Sequence, residues 1–271
     1  MPVSLSPSRL SAWESCPRQF WFRVVDRVPG RTWAHWSLGN AVHRALHDWW
    51  DVPRERRSSD SARELVARHW HSDGFRDHEQ SLRWRSVAQS MVWSYLERLD
   101  PTWQPLSSER SLAVMLAGAP VNGRIDRLDE DPDLPTGVVV VDYKTGSSVS
   151  SADEARASRS LAIYAYLVRT ALRRPCNRVE LHHVPSGQVA TAVHTEAGLQ
   201  RHIERTAGLI REIDHAMDAW QGSGGDGAVL DEAFPVKTGP LCGFCEAWSL
   251  CSAGQATTPQ RASWEGLAEN P

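Results

Sequence analysis

The sequence predicts one α/β core with a helical N-terminal cap and a C-terminal tail that carries cysteines. Residues 1–105 contain helical patterns rich in Trp and Arg, and residues 106–221 alternate short apolar runs with two further helical patterns. Residues 222–260 hold three closely spaced cysteines. This order of helices, strands, helix, strands and helix favours a single domain over 1–260, and we expect residues 261–271 to be disordered.

The helical elements have local signals. The first helix, over residues 6–28, is entered through Ser6 and Pro7, because Ser followed by Pro is a common helix start. Thr195 is the expected N-cap of the last long helix. The remaining helices are predicted from apolar periodicity at 37–51, 59–71, 79–98, 153–173 and 195–221.

The strands are predicted from short apolar runs between Gly, Pro and Asp, at 110–116, 121–128 and 137–143, with a hairpin at 177–184 and 188–194. The run GVVVVDYK is β-branched and nearly continuous, which is typical of a central strand buried on both faces.

Composition excludes several classes of protein. A hydrophobic content of 41% over 271 residues is enough for a core, so disorder of the whole chain is excluded. No run approaches the roughly 18 apolar residues of a membrane span. The N-terminus shows no basic segment followed by an apolar one, so we expect a cytoplasmic protein without a signal peptide. A net charge of −3 argues against a globally basic nucleic-acid binder, although a local basic groove stays possible.

Two carboxylates and a lysine are predicted to meet at the end of the buried strand. Asp142 and Lys144 point to the same face of a strand, and a hairpin can bring Asp126 beside Asp142. Burying these groups is costly, and a divalent cation such as Mg²⁺ would offset that cost. Lys144 is also one of only two lysines among 30 basic residues. The alternative is a simple salt bridge at a strand end, with Gly146 closing a turn.

Five short motifs carry a resemblance to a known family. They are Gly39–His43 (Gly-x-x-x-His), Gly123–Asp126 (Gly-x-x-Asp), Asp142–Gly146 (Asp-x-Lys-Thr-Gly), and the opening segments Ser6–Leu10 and Cys16–Phe20. With these motifs the chain resembles the RecB-like branch of the PD-(D/E)xK nuclease superfamily, which includes the AddB-type and CRISPR-associated nucleases. The resemblance implies a nuclease core with a mixed central sheet flanked by helices.

The resemblance also implies roles for the site residues. His43, Asp126 and Asp142 would be ligands of Mg²⁺ or Mn²⁺, with the backbone carbonyl of Tyr143 as a further ligand. Lys144 would serve the attacking water.

Some assignments at this site stay open. His47 lies one helical turn after His43 and fits equally well by geometry, so only the motif spacing selects His43. The family usually has Gln four residues before the tyrosine in the helix after the lysine; here Ser160 takes that place and Tyr164 matches the tyrosine. We expect Tyr164 to be either catalytic or a core residue. Glu109 is expected on the surface, with indirect support of the site as the alternative.

The cysteines form a second constellation. Cys242, Cys245 and Cys251 have the spacing of metal ligands, and Cys16 or Cys176 could supply a fourth thiolate. Four thiolates suit either tetrahedral zinc or an iron–sulfur cluster. The resemblance implies Cys16 and a 4Fe–4S cluster, with zinc as the alternative. Its role would be mechanical, because it ties the N-terminus to the tail.

The first 85 residues contain eight of the thirteen tryptophans together with many arginines. Bases of single strands stack on aromatic rings and on Arg planes, although core packing explains most single tryptophans. The predicted DNA contacts are Arg18, Trp33, Trp36 and Arg159.

The function that follows is a metal-dependent DNA exonuclease acting on single strands or ends in repair or recombination. A helicase or a CRISPR-adaptation protein is a possible partner, since the chain has no Walker A motif of its own. The alternatives are a CRISPR spacer-acquisition nuclease of the same family and a non-catalytic iron–sulfur subunit that binds nucleic acid.

Overall fold

The computed structural model describes residues 3–100 and 102–268. The described residues form ten α-helices and five strands, together with three short 3₁₀ turns and one π-helical turn at Val168–Leu172. The helices are α1 (Pro7–Ser15), α2 (Pro17–Val24), α3 (Ala34–Trp49), α4 (Ser59–Arg68), α5 (His78–Leu96), α6 (Ala152–Ala157), α7 (Arg159–Leu167), α8 (Glu196–Gly222), α9 (Gly227–Ala233) and α10 (Ser252–Thr257). The strands are β1 (Ser107–Leu116), β2 (Ala119–Glu130), β3 (Val138–Lys144), β4 (Arg178–His183) and β5 (Gln188–Val193).

Two helices that the sequence predicted as continuous are interrupted. The helix predicted over 6–28 is split at Cys16, which is extended (φ −163°, ψ 109°) because a residue before proline is disfavoured in helical geometry. The helix predicted over 153–173 is split at Ser158, which is also non-helical (φ −66°, ψ 111°). The Ser158 side chain accepts a hydrogen bond from Leu161 N and so begins α7.

The five strands form one mixed sheet in the order β1-β2-β3-β4-β5. β2 pairs antiparallel with β3, β3 parallel with β4, and β4 antiparallel with β5. A parallel pair needs a crossover, and α6 and α7 supply it between β3 and β4. β1 and β2 are joined by a two-residue turn in which Ala117 (φ 49°) and Gly118 (φ 89°) are both left-handed, as a tight hairpin turn requires.

Helices flank the sheet on both faces. Side chains of β3 alternate, so Val139, Val141 and Tyr143 face a core built with α3, α4 and α5. The opposite face of β3 and β4 is covered by α6 and α7. Val138 to Val141 are all buried, as expected for a central strand covered on both faces.

The chain divides into two compact units. The cysteine unit contains the N-terminal segment up to Arg31, Ala113–Gly123 and Gln200–Ala262. The sheet unit contains Thr32–Leu112, Arg124–Leu199 and the segment from Ser263 onward.

Part of the segment expected to be disordered packs against the core of the sheet unit. Ser263 O accepts a hydrogen bond from Ala34 N (3.0 Å), and Trp264 and Leu267 pack against the core, because their apolar side chains gain by leaving water. The rest of that segment, 269–271, lies outside the described residues. None of the helices in the described residues is long and apolar enough to span a membrane.

Candidate active site and cysteine site

The sheet register brings the two aspartates together. Arg127 pairs with Val141, so the next position of the antiparallel register sets Asp126 opposite Asp142 on the same face. The backbone N of Tyr143 donates to Asp126 Oδ2 (2.8 Å), which orients that carboxylate.

A histidine from α3 approaches the same carboxylate. His43 Nδ1 lies 3.2 Å from Asp126 Oδ1, whereas His47 Nδ1 lies 2.6 Å from Ser108 Oγ. The structure therefore brings His43, and not His47, to the aspartate pair. Burial alone would lower the pKa of His43, but its hydrogen bond to Asp126 and the nearby carboxylates of Asp142 and Glu109 outweigh burial and raise the pKa.

Glu109 belongs to this site, and the expectation of a surface glutamate is wrong. One ligand atom each of His43, Glu109 and Asp126 lies within 4.8 Å of the others. The Glu109 side chain is only 13% exposed, and its Oε2 pairs with Arg124 Nε at 2.7 Å. One feature of the sequence could have indicated this position: Glu109 lies near the start of β1, the strand that pairs with β2, which carries the Gly-x-x-Asp motif.

Asp142 and Lys144 complete the polar cluster. Lys144 Nζ lies 2.6 Å from Asp142 Oδ2, but this oxygen has no aligned hydrogen-bond donor among the described residues. Burial and, after it, the charge of Asp126 raise the pKa of Asp142, and Lys144 compensates only in part. Two carboxylates that repel each other in a buried place are where a divalent cation is favourable.

Tyr164 of α7 lies within the electrostatic range of this site. Burial, followed by the charges of Asp142 and Asp126, raises the pKa of its phenol, so the hydroxyl stays protonated at neutral pH. Ser160 lies one turn before Tyr164 and Arg159 is the first residue of α7; both are partly exposed. Ser160 stands where the family usually has Gln, and Tyr164 nevertheless keeps its place on α7.

The position of Glu109 gives a first prediction. We expect Glu109→Gln to weaken Mn²⁺ binding about tenfold, because the amide keeps the size of the side chain but removes a negative charge from the group of three. Calorimetric titration of the protein with Mn²⁺ measures this effect. Glu130→Gln is the matched control, since Glu130 is 63% exposed and pairs only with Arg174. Equal affinities of the two variants would contradict the prediction.

The four cysteines of the predicted cluster all lie in the cysteine unit, and each sulfur accepts a backbone N–H. Lys237 N donates to Cys16 Sγ (3.4 Å), Gly239 N to Cys242 Sγ (3.3 Å) and Gly254 N to Cys251 Sγ (3.3 Å). Cys245 accepts from the backbone of Ala247.

Burial is the largest cause that raises the pKa of the Cys245 thiol, and the charges of Cys16 and Cys251 raise it further. Cys176 lies in the sheet unit and is fully buried.

Two of the predicted DNA contacts, Trp33 and Arg18, do not agree with the burial of their side chains. Trp33 is 1% exposed, so its ring offers no face on which a base could stack. The Arg18 side chain is 13% exposed, forms an ion pair with Asp231 and donates to Phe234 O (3.0 Å), so its hydrogen bonds hold the protein together. Trp36 is 41% exposed.

Comparisons with known proteins identify the family of the chain. Residues 4–252 match the PD-(D/E)XK nuclease superfamily. No curated protein matches the chain. Among solved structures, the chain is similar to that of a candidate exonuclease from Eubacterium rectale, with 11% identity, a TM-score of 0.48, and coverage of 77% of this chain and 80% of that chain. Since the family match spans nearly the whole sequence and includes every residue of the site, the chain belongs to the PD-(D/E)XK nuclease superfamily.

Proposed function

We propose that the protein is a metal-dependent DNA exonuclease that acts on single strands or ends, in repair or recombination. The observation that carries the proposal is the cluster in which His43 and Glu109 meet Asp126 while Lys144 pairs with Asp142. A subunit that only binds nucleic acid would have no need for these polar groups in one partly buried place, where desolvation is costly.

The donors of the cluster suit Mg²⁺ or Mn²⁺, because most of them are carboxylate oxygens, the ligands that these hard cations prefer; His43 adds one imidazole nitrogen. His43, Glu109, Asp126 and Asp142 would hold the ion, together with the carbonyl of Tyr143. When bound, the ion would polarise the phosphodiester and lower the pKa of a water molecule.

The protein side chains do the rest of the chemistry. Lys144 is 46% exposed at its end of β3, so its ammonium is accessible both to a water and to a phosphate oxygen. It can hold the attacking water and balance the negative charge that develops on the phosphate. The Tyr164 hydroxyl is a neutral donor on which the charges of Asp142 and Asp126 act, and we assign it the role of orienting the same phosphate.

Single strands are favoured as substrate by the position of Trp36. Trp36 and His43 are seven residues apart on α3, so they share a helix face and are separated by roughly 10 Å along the axis. The exposed ring of Trp36 is thus one or two nucleotides away from the cluster and can stack on an unpaired base. Arg159 remains a predicted phosphate contact.

Trp36 gives a second prediction. We expect Trp36→Ala to weaken binding of a single-stranded oligonucleotide about tenfold, because stacking on one base contributes roughly 1–3 kcal/mol. Fluorescence anisotropy with a labelled oligonucleotide measures the affinity. Trp36→Phe should keep most of the affinity, since it retains an aromatic face. Unchanged binding by Trp36→Ala would remove Trp36 from the DNA path.

For the cysteine site we propose a 4Fe–4S cluster held by Cys16, Cys242, Cys245 and Cys251. Its support is that the four cysteines lie in one unit and that backbone N–H groups of Lys237, Gly239 and Gly254 donate to the sulfurs of Cys16, Cys242 and Cys251, since the sulfurs of iron–sulfur sites accept such hydrogen bonds. Zinc is the alternative that the same donors allow.

Degradation of end-labelled single- and double-stranded DNA tests the proposed activity. The protein is purified without oxygen and incubated with Mg²⁺, Mn²⁺ or EDTA. We expect cleavage only with a metal ion and faster on single strands, and the position of the label then gives the polarity. Binding without cleavage under all conditions would favour the non-catalytic subunit.

A further inference from the structure

Behind the two aspartates, on the face of the sheet that packs against α3 to α5, lies a buried polar network. Its centre is Arg127, which is 3% exposed. The Arg127 guanidinium donates to Asp129 Oδ2 (Nε, 3.1 Å) and, through Nη1, to the hydroxyls of Tyr95 (2.9 Å) and Tyr143 (3.2 Å). It also lies over the ring of Trp103, with Cζ 4.8 Å from the ring centroid.

The network continues from Tyr95 to β4. The Tyr95 hydroxyl lies 2.7 Å from His182 Nδ1, and His182 Nε2 lies 2.8 Å from Glu180 Oε2. Since the Glu180 carboxylate only accepts, Nε2 carries the proton, and Nδ1 accepts from the Tyr95 hydroxyl. The hydrogen bonds therefore run in one direction from Arg127 through Tyr95 and His182 to Glu180.

A contribution to the stability of the fold is a weak explanation for this network. An ion pair buried as deeply as Arg127 with Asp129 adds little net stability compared with apolar residues of the same volume, because both charges lose their hydration. Apolar side chains in place of Arg127 and Asp129 would pack against the surrounding core, which includes Val139, Val141 and Tyr95. The position of the network relative to the two aspartates suggests its use.

Each strand of the site is fixed from behind by one side chain of the network. Arg127 directly follows Asp126 on β2, and Tyr143 lies between Asp142 and Lys144 on β3. Because successive side chains of a strand point to opposite faces, fixing Arg127 and Tyr143 on one face sets the direction of the carboxylates on the other. Tyr143 N also donates directly to Asp126 Oδ2.

We propose that Arg127, acting through the Tyr143 hydroxyl, is a positioning residue that holds the Asp126 and Asp142 carboxylates in the geometry for a divalent cation. This inference rests on the proposed function, since it concerns the same site. One guanidinium bridges the two strands that carry the aspartates. Removing the bridge loosens the pair without removing any ligand.

The test removes two hydroxyl groups, one at a time, and the loss of the Tyr95 hydroxyl also breaks its hydrogen bond to His182. Tyr143→Phe and Tyr95→Phe each remove one hydroxyl that accepts from the same Arg127 nitrogen, but only Tyr143 lies on an active-site strand. For Tyr143→Phe we expect about tenfold weaker Mn²⁺ binding by calorimetry and an about tenfold lower single-turnover rate, while the KM for DNA stays unchanged. Losses of this size are typical when a residue that orients a metal ligand is removed. For Tyr95→Phe we expect both quantities within about threefold of wild type.

Arg127→Lys is the second variant. A lysine keeps the charge but cannot reach Asp129 and the two hydroxyls together, so we expect a loss at least as large as that of Tyr143→Phe. If Arg127→Lys does not fold, the two phenylalanine variants still decide, because both keep their aromatic rings in the core.

The outcomes separate this inference from the proposed function. If wild type binds Mn²⁺ and cleaves DNA, but Tyr143→Phe matches Tyr95→Phe in Mn²⁺ affinity and rate, the network is only structural and the inference is overturned. If wild type neither binds Mn²⁺ nor cleaves DNA, the proposed function fails and the inference fails with it.

Discussion

Asp142→Asn is expected to lower the rate of metal-dependent DNA cleavage by about 10³-fold, which corresponds to roughly 4 kcal/mol of transition-state stabilisation. The amide has the size of the carboxylate but lacks the charge that attracts the cation and pairs with Lys144. Both the ion and the lysine therefore lose their common partner. The end-labelled DNA assay under single-turnover conditions measures the rate.

The same substitution should stabilise the metal-free protein. Burial and Asp126 raise the pKa of Asp142 above its value in the unfolded chain, so the folded state takes up a proton more readily. The contribution of this group to stability is therefore present at low pH and is lost as the pH rises through the raised pKa. Asp142→Asn should remove this pH dependence, and thermal unfolding in EDTA at several pH values measures it.

Asp133→Asn is the matched control for the cleavage rate. Asp133 is 78% exposed and pairs with Arg178, away from the cluster. It should not change the cleavage rate. If Asp142→Asn kept the wild-type rate, the cluster would not be the source of the activity, and the non-catalytic alternative would replace the proposed function.

If the proposed 4Fe–4S cluster is present, Cys16→Ser is expected to remove it and to unfold the cysteine unit. By the chain-entropy relation, a crosslink between Cys16 and the cysteines of the tail contributes about 5 kcal/mol, because it closes a very long loop. The stability of a whole domain is typically about 5–15 kcal/mol, so this loss is a large share of it. Iron content, visible absorbance and thermal unfolding of the anaerobically purified variant measure the effect.

Cys176→Ala is the control for the cysteine prediction. Cys176 is buried in the sheet unit, and burial raises the pKa of its thiol to about 12, so it stays neutral. Its variant should keep its iron and its colour. If the wild-type protein is colourless and holds zinc, the site is a zinc site and not a 4Fe–4S cluster. If the Cys16→Ser variant keeps its full iron content and stability, Cys16 is not a ligand.

The strands and the aspartate pair could be predicted because their signals are local. Alternation along Asp142-Tyr143-Lys144 sets the face of each side chain, and the short connection from Asp126 makes an antiparallel neighbour probable from the chain alone. The run of valines in β3 required burial on both faces. The interruption at Cys16 was also readable from Pro17, but the apolar periodicity across it suggested one helix.

Burial of individual side chains could not be predicted. Trp33 and Trp36 are three residues apart in the same segment, yet one is fully buried and the other is exposed. Arg18 was predicted as a DNA contact because of its neighbours in sequence, but its partners Asp231 and Phe234 come from more than two hundred residues later. Contacts of such separation leave no periodic pattern in a single sequence.

The sequence by itself determined the superfamily and placed Asp126, Asp142 and Lys144 at neighbouring strands, because these depend on residue type and on spacing within one or two strands; the metal chemistry that we propose rests on the same residues. Only the tertiary structure decided that Glu109 joins His43 and Asp126, that His43 rather than His47 faces the site, and that Arg127 ties the two strands from behind. These features depend on which side chains from distant segments share a face of the sheet. That arrangement follows from the packing of α3, α5 and the strands, and no short stretch of the chain encodes it.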